Sequence, residues 1–129
     1  MVKTLYFLAI MLTAIAMGAA LAHLFELPSL SVPLAVLSVL ALTVTLRGSG
    51  APFTFALIAL LLLIGELVVF WGFTAPVNRA TDNWTMLPGN WEQLRAQWEY
   101  SHAARAFLYV LAMGTLVMSV LDWRSMPDQ

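Results

Sequence analysis

Five residues between positions 91 and 105 could together bind and activate a small molecule. They follow one another at intervals of 4, 3, 4 and 3 residues: Trp91, Arg95, Trp98, His102 and Arg105. On an α-helix these intervals place all five on one face. Tryptophan rings stack on flat ligands, guanidinium groups hold anions or oxyanions, and an imidazole can act as a general base. The alternative is that the tryptophans form an interfacial belt and the arginines extend to the membrane surface.

Three more ionisable residues lie within or beside apolar segments, where polar groups are costly unless they are partnered. Glu66 lies about 15 Å along its segment from the membrane edge, so it is either protonated or paired with a cation such as Arg105. It could form a structural ion pair or relay protons. His23 and Glu26 are three residues apart and share a helix face. They are either interface residues that meet water or part of a ligand-binding group with Glu66 and His102.

Two histidines and two carboxylates on facing helices could also bind a transition metal. The duplicated Glu-x-x-His pattern of di-iron bundles does not occur, and His23 with His102 as two haem ligands is an equally unspecific pattern. We therefore predict no metal site and no resident cofactor, with haem or iron as the alternatives.

The composition sets the class of protein in which these residues act. The chain has 129 residues, of which 61% are hydrophobic and 10% charged, and it has no cysteine. Soluble domains are about 45–50% apolar and about 25% charged, so the composition excludes a soluble enzyme, a disordered chain and a disulfide-stapled secreted domain. A formal net charge of −1 provides no basic surface for nucleic acid.

Four apolar segments are long enough to cross a bilayer, which takes about 20 apolar residues each. They cover residues 5–25, 27–46, 53–76 and 102–121. The first also resembles a secretory signal, although its apolar run is long for one. Arg47-Gly48-Ser49-Gly50 predicts a turn between the second and third segments. We therefore predict an all-α fold: a single integral membrane domain, residues 1–129, built as a four-helix bundle.

Residues 77–101 form the longest connection. Asn90 is a favourable N-cap, and Gln93 at the third helical position would complete a capping box. From Trp91 to Leu121 no residue breaks a helix, which predicts one helix about 45 Å long. The fourth helix would thus extend at its N-terminal end beyond the bilayer or lie against its surface.

The charged residues are distributed unevenly between the two membrane faces. Of the 13 charged residues, eight belong to the face with the long connection and five to the face with the termini. The basic residues divide three to three, as Lys3, Arg47 and Arg124 against Arg79, Arg95 and Arg105. If the arginines of the connection serve a site, both termini are cytoplasmic.

Several motifs resemble a family of small bacterial four-helix membrane proteins, mostly of unknown function, to which the anthrone oxygenases belong. They occupy residues 22–28, 76–78, 80–85, 90–91 and 94–103. The specific part of the resemblance is the series Asn78, Trp91, Arg95, Trp98, His102 and Arg105. Members of the family have a longer polar connection with aromatic residues between the first two spans. This chain departs from them, because it has only residues 28–33 there. The resemblance implies an inner-membrane protein with several spans.

The resemblance also implies an activity, the oxidation or oxygenation of a flat, apolar phenolic or quinone-like molecule. His102 would remove a proton, and Arg95 and Arg105 would stabilise the resulting anion. A carbanion of this kind reacts with dioxygen without a cofactor. The remaining site residues would contact the substrate: Trp91, Trp98, Asn78, Trp84, His23, Glu26 and Glu66.

Two other functions are compatible with the same residues. The protein could be non-catalytic and bind a lipid, a quinone or a partner subunit. It could also be a proton-coupled transporter that uses Glu66, although the sequence has no broken-helix pair and no inverted repeat. The expected partners are the lipid bilayer and a small apolar aromatic ligand, and the bundle could form oligomers.

Overall fold

The chain is all-helical over residues 28–124, the part that the computed structural model describes. The predicted first span, with His23 and Glu26, lies outside these residues. Three helices follow one another: α1 (Pro28–Thr45), α2 (Ala51–Ala80) and α3 (Trp91–Trp123). The all-α prediction is confirmed for this part of the chain.

Two of the helices, α2 and α3, are long and apolar enough to cross a membrane. α1 has a shorter apolar stretch, Val32–Thr45. Large apolar side chains are exposed on the outside of all three helices, including Leu37, Leu61, Val68 and Phe107. An apolar surface of this extent favours contact with lipid over contact with water.

A tight turn joins α1 to α2 at the predicted position. Gly48 and Gly50 have φ angles of 87° and 69°, which glycine adopts at little cost because it has no Cβ atom. Pro52 lies in the first turn of α2, where its missing N–H group would have no helical partner.

The core lies where α2 crosses its two neighbours. Val39 of α1 and Ala112 of α3 are buried against a cluster on α2, which consists of Ala59, Leu60 and Leu63. Alanines at the contact let helix backbones approach closely. Nearer the start of α2, Ser119 donates a hydrogen bond to the carbonyl of Pro52 at 2.8 Å and so fixes the opposite end of α3.

α2 changes from α- to π-helical geometry over Phe70–Thr74 and returns to α-helix at Ala75. Pro76 follows, and its ring cannot accept the close approach of the carbonyl four residues earlier. A wider turn before the proline relieves this clash and lets the helix continue. The turn after Glu66 is therefore wider than an α-helical turn.

α3 begins at Trp91, as predicted, and runs for 33 residues to Trp123. Asn90 is the N-cap residue, as predicted, but the prediction of a side-chain cap is wrong, because its side chain makes no cap hydrogen bond. Its backbone angles, φ −103° and ψ 24°, differ from the extended conformation in which an N-cap side chain reaches the first turn. The carbonyl of Asn90 accepts bonds from the N–H groups of Gln93 and Leu94 instead.

Candidate functional site

Side chains at the α2–α3 contact hold the site region together. Thr74 Oγ1 donates to Ser101 Oγ at 2.9 Å, and Gln97 Nε2 donates to the Phe73 carbonyl at 2.9 Å. The two α2 residues of these bonds, Phe73 and Thr74, belong to the π-helical segment. The widened turn of α2 thus sets the position of the first three turns of α3.

An open groove of about 360 Å³ lies between the connection and the start of α3. We call it the tryptophan groove, and its lining residues are Trp84, Leu87, Trp91, Arg95, Trp98 and Glu99. Small-molecule pockets have volumes of about 300–1,000 Å³ and combine apolar walls with a few polar groups. The tryptophan groove has both properties.

Trp98 is the central wall of this groove. Its Nε1 donates to Asn78 Oδ1 at 3.0 Å, so the predicted residue Asn78 orients a groove wall rather than lining the groove. The Trp84 ring meets the Trp98 ring edge to face, with centroids 5.8 Å apart. On the same helix, the His102 ring stacks against Trp98 with centroids 3.9 Å apart.

The hydrogen bond of His102 assigns its tautomer. Nδ1 lies 2.9 Å from the Trp98 carbonyl oxygen, which can only accept a hydrogen bond. Nδ1 therefore carries the proton, and in the neutral ring Nε2 is the basic nitrogen. The backbone thus holds one ring nitrogen, and Nε2 keeps the lone pair that a general base uses.

Arg95 pairs with Glu99 at the mouth of the groove. The Arg95 Nε to Glu99 Oε1 distance is 2.8 Å, and the two side chains are 61% and 54% exposed. An exposed pair one helical turn apart stabilises a helix by less than about 1 kcal/mol, so a ligand can displace it at little cost.

Trp84 occupies a strained backbone position. Asp82, Asn83 and Trp84 have successive φ angles of 46°, 52° and 67°, in the left-handed region. Aspartate and asparagine tolerate this region, whereas for a bulky residue it costs roughly 1–2 kcal/mol. Trp84 Nε1 is also buried without a hydrogen-bond partner. The groove wall is thus held in a conformation that is unfavourable on two counts.

Deeper along the helices, Glu66 and Arg105 form the expected ion pair. The Glu66 side chain is fully buried and that of Arg105 is 17% exposed, and Arg105 Nε donates to Glu66 Oε1 at 2.5 Å. The Arg105 guanidinium also lies over the Phe70 ring, 4.7 Å from its centroid. The Tyr109 hydroxyl is near both charged groups, whereas Glu66 Oε2 has no hydrogen-bond partner.

The predicted stripe on α3 therefore divides into two groups. Trp91, Arg95 and Trp98 line the groove, whereas Arg105 points its charge at Glu66. Trp91 and Arg105 are 14 residues apart, about 21 Å along a helix. His102 lies between the groups, and the structure does not describe His23 and Glu26.

Sequence reasoning missed several residues of both groups. Tyr109 continues the stripe by one more step of four residues, and Phe70 follows Glu66 by the same interval on α2. Both could have been found by extending the helical spacing. Leu87 and Glu99 complete the groove, and Leu87 has no such signal because it lies in an irregular segment.

Among residues 28–124, no three His, Asp or Glu side chains are grouped closely enough to hold a metal ion. His102 stacks on a tryptophan and Glu66 pairs with an arginine. In the described part of the chain, both side chains therefore have partners other than a metal ion.

Comparisons of the chain with protein-family models, with curated proteins and with solved structures find no match. The class that fold and site define is a helical protein with two apolar helices of membrane-spanning length and an aromatic groove beside one of them.

The buried pair predicts an unequal response to mutation. We expect Glu66→Leu alone to lower the free energy of unfolding by about 3–5 kcal/mol, because it leaves the Arg105 charge enclosed without a partner. Glu66→Leu combined with Arg105→Leu should recover most of this loss. The measurement is equilibrium unfolding in detergent micelles.

Glu99→Leu is the matched control, because it removes a carboxylate from an exposed arginine pair. It should change the free energy of unfolding by less than about 1 kcal/mol. Equal losses for Glu66→Leu and Glu99→Leu would show that the buried pair does not hold α2 and α3 together.

Proposed function

We propose that the protein crosses a bacterial inner membrane four times as a helical bundle, with cytoplasmic termini, and binds a flat aromatic molecule in the tryptophan groove. The ligand class is apolar and phenolic or quinone-like. The observation that carries this proposal is the convergence of three tryptophans, Trp84, Trp91 and Trp98, on one groove of about 360 Å³. The predicted first span would supply the fourth helix.

The groove combines aromatic walls on which a flat ring system can stack with a cation at its mouth. Aromatic rings pair best in offset-stacked or edge-to-face arrangements, and Trp84 and Trp98 already stand at 82° to each other. A ring parallel to either wall would stack on one indole and meet the other at its edge. The Arg95 guanidinium at the mouth can hold a phenolate or carbonyl oxygen.

The position of the groove along α3 supports entry from the bilayer. Four of the lining residues belong to the first three turns of α3, before its apolar stretch, and the other two, Trp84 and Leu87, belong to the connection. Tryptophans are enriched at the membrane–water interface, where an apolar ligand and a polar group can be bound together. An aromatic molecule dissolved in lipid would meet the groove at this depth.

Oxygenation of the bound molecule is the second part of the proposal, and the tautomer of His102 favours it. Nε2 is the basic nitrogen of a ring that stacks on Trp98 just beyond the groove. His102 would take a proton from the acidic carbon or phenol of a substrate that extends past Trp98 to this nitrogen. The carbanion, stabilised by Arg95, would form a C–O bond to dioxygen, and the resulting peroxide anion would take back the proton from His102. Loss of the second C–H proton with cleavage of the O–O bond would then release water and leave a carbonyl group. The resemblance to the anthrone oxygenases supports the same chemistry.

Arg105 has a different role in this proposal. Its charge is neutralised by Glu66, so it positions α3 rather than holding a substrate oxygen. The pair also favours a structural Glu66 over a transporting one, because a proton carrier must exchange its proton during each cycle.

The topology can be tested because the chain has no cysteine. Ser49→Cys and Asn90→Cys each introduce one thiol, in the turns before and after α2. In intact cells a membrane-impermeant maleimide should label Asn90→Cys alone. Ser49→Cys should react only after permeabilisation, and labelling of both from outside would contradict the topology.

The groove predicts stacking-dependent binding of an aromatic probe, 2-methyl-1,4-naphthoquinone. We expect Trp91→Ala to weaken its binding about tenfold. Loss of one aromatic stacking contact costs up to about 1.4 kcal/mol of binding free energy, which corresponds to a tenfold change in affinity. The measurement is quenching of tryptophan fluorescence in nanodiscs. Trp123→Ala, an exposed tryptophan at the far end of α3, should leave the affinity unchanged. Equal losses for both variants would disprove the groove as the binding site.

His102→Ala tests the chemistry separately from the binding. It should lower the rate of anthrone oxidation, measured as oxygen consumption, at least about 100-fold, which is the lower end for loss of a general base. The naphthoquinone affinity should change little, because His102 does not line the groove. Full activity of His102→Ala would refute the oxygenase proposal and leave ligand binding intact.

A further inference from the structure

Trp84 differs from the other tryptophans of the groove in the state of its N–H group. The Trp98 N–H is bonded to Asn78, and Trp91 is partly exposed, so that water can reach it. Trp84 Nε1 is buried and has no partner. An indole nitrogen can only donate, so this group needs an acceptor oxygen.

The backbone around Trp84 is fixed even though its φ angle is unfavourable. The Trp84 N–H donates to Thr81 Oγ1 at 3.1 Å, and the Asn83 N–H donates to the Asn78 carbonyl at 2.8 Å. Thr81 itself is fully buried and donates to the Val77 carbonyl. The end of α2 thus holds a strained turn in place, and strain that is maintained in this way is typical of functional segments.

We infer that Trp84 is the specificity-determining residue of the groove, and that its indole N–H donates a hydrogen bond to a carbonyl oxygen of the bound aromatic molecule. This inference rests on the proposed ligand-binding function. It deepens that function by naming the protein group, the Trp84 N–H, that recognises an oxygen of the phenolic or quinone-like ring.

Two kinds of ligand differ in whether they pair the Trp84 N–H group. A hydrocarbon ring fills the groove but leaves the Trp84 N–H unpaired, whereas a ring with a carbonyl oxygen pairs it. Sites with a buried, unsatisfied polar group discriminate strongly against ligands that lack the complementary group. In the free protein Nε1 is enclosed, so the indole must turn toward the groove when such a ligand enters. The movement is favoured by the hydrogen bond that forms, because Nε1 has no partner in the free protein.

The test compares two probes that share a fused-ring skeleton and differ in two carbonyl oxygens, 2-methyl-1,4-naphthoquinone and 2-methylnaphthalene. Binding to the full chain in nanodiscs is measured by equilibrium dialysis, with empty nanodiscs as the reference. The intact protein should prefer the quinone. Trp84→Phe keeps an aromatic wall and removes the N–H group, so it should reduce this preference about fivefold or more. Its affinity for 2-methylnaphthalene should fall no further than that of Trp91→Phe, which also shows that the groove is still formed.

Trp91→Phe is the matched control, because it shortens another wall of the same groove. It should weaken the binding of both probes by the same factor and leave the preference for the quinone unchanged. If Trp84→Phe keeps the full preference for the quinone, or if the intact protein binds both probes equally, the role of Trp84 is refuted while the binding groove stands. If the intact protein binds neither probe, the proposed function fails and this inference fails with it.

Discussion

The arrangement of α2 and α3 depends on one buried ion pair. Glu66 is fully enclosed, and Arg105 is the cation that balances it across the helix contact. An unpaired charge at such a position is far more costly than an unpaired polar group, so the two helices cannot slide past each other without a large loss of free energy. Apolar contacts such as those of Ala59 and Ala112 allow many registers, whereas this pair selects one.

The register fixed by the pair determines where the groove forms. From Arg105 the face of α3 continues to Ser101 and Trp98, which meet Thr74 and Asn78 of α2. Thr74 belongs to the π-helical segment, the wide turn before Pro76, and Asn78 belongs to the α-helical turn after it. The connection then brings Trp84 against Trp98. The position of the tryptophan groove thus depends on three features: the ion pair, the wide turn of α2 and the strained loop that carries Trp84.

The groove residues and the buried ion pair occupy different parts of α3. Trp91, Arg95 and Trp98 lie in its first turns, and Arg105 with Tyr109 lies further along, near Glu66. His102 lies between the two regions and contacts Trp98 of the groove. This separation allows the groove residues to be substituted without loss of the pair that supports them.

Local features of the sequence determined the helices. The apolar runs, the Gly48–Gly50 turn and the unbroken stretch from Trp91 follow from chain-local preferences, and the helical spacing placed Trp91, Arg95 and Trp98 on one face. The tertiary structure alone decided that Arg105 leaves this group for Glu66, that Asn78 orients Trp98, and that Leu87 closes the groove. It also decided that the Asn90 side chain does not cap α3. Spacing along one helix fixes which residues share a face, but the partner of each residue depends on the register of the neighbouring helix, which only packing and charge pairing select.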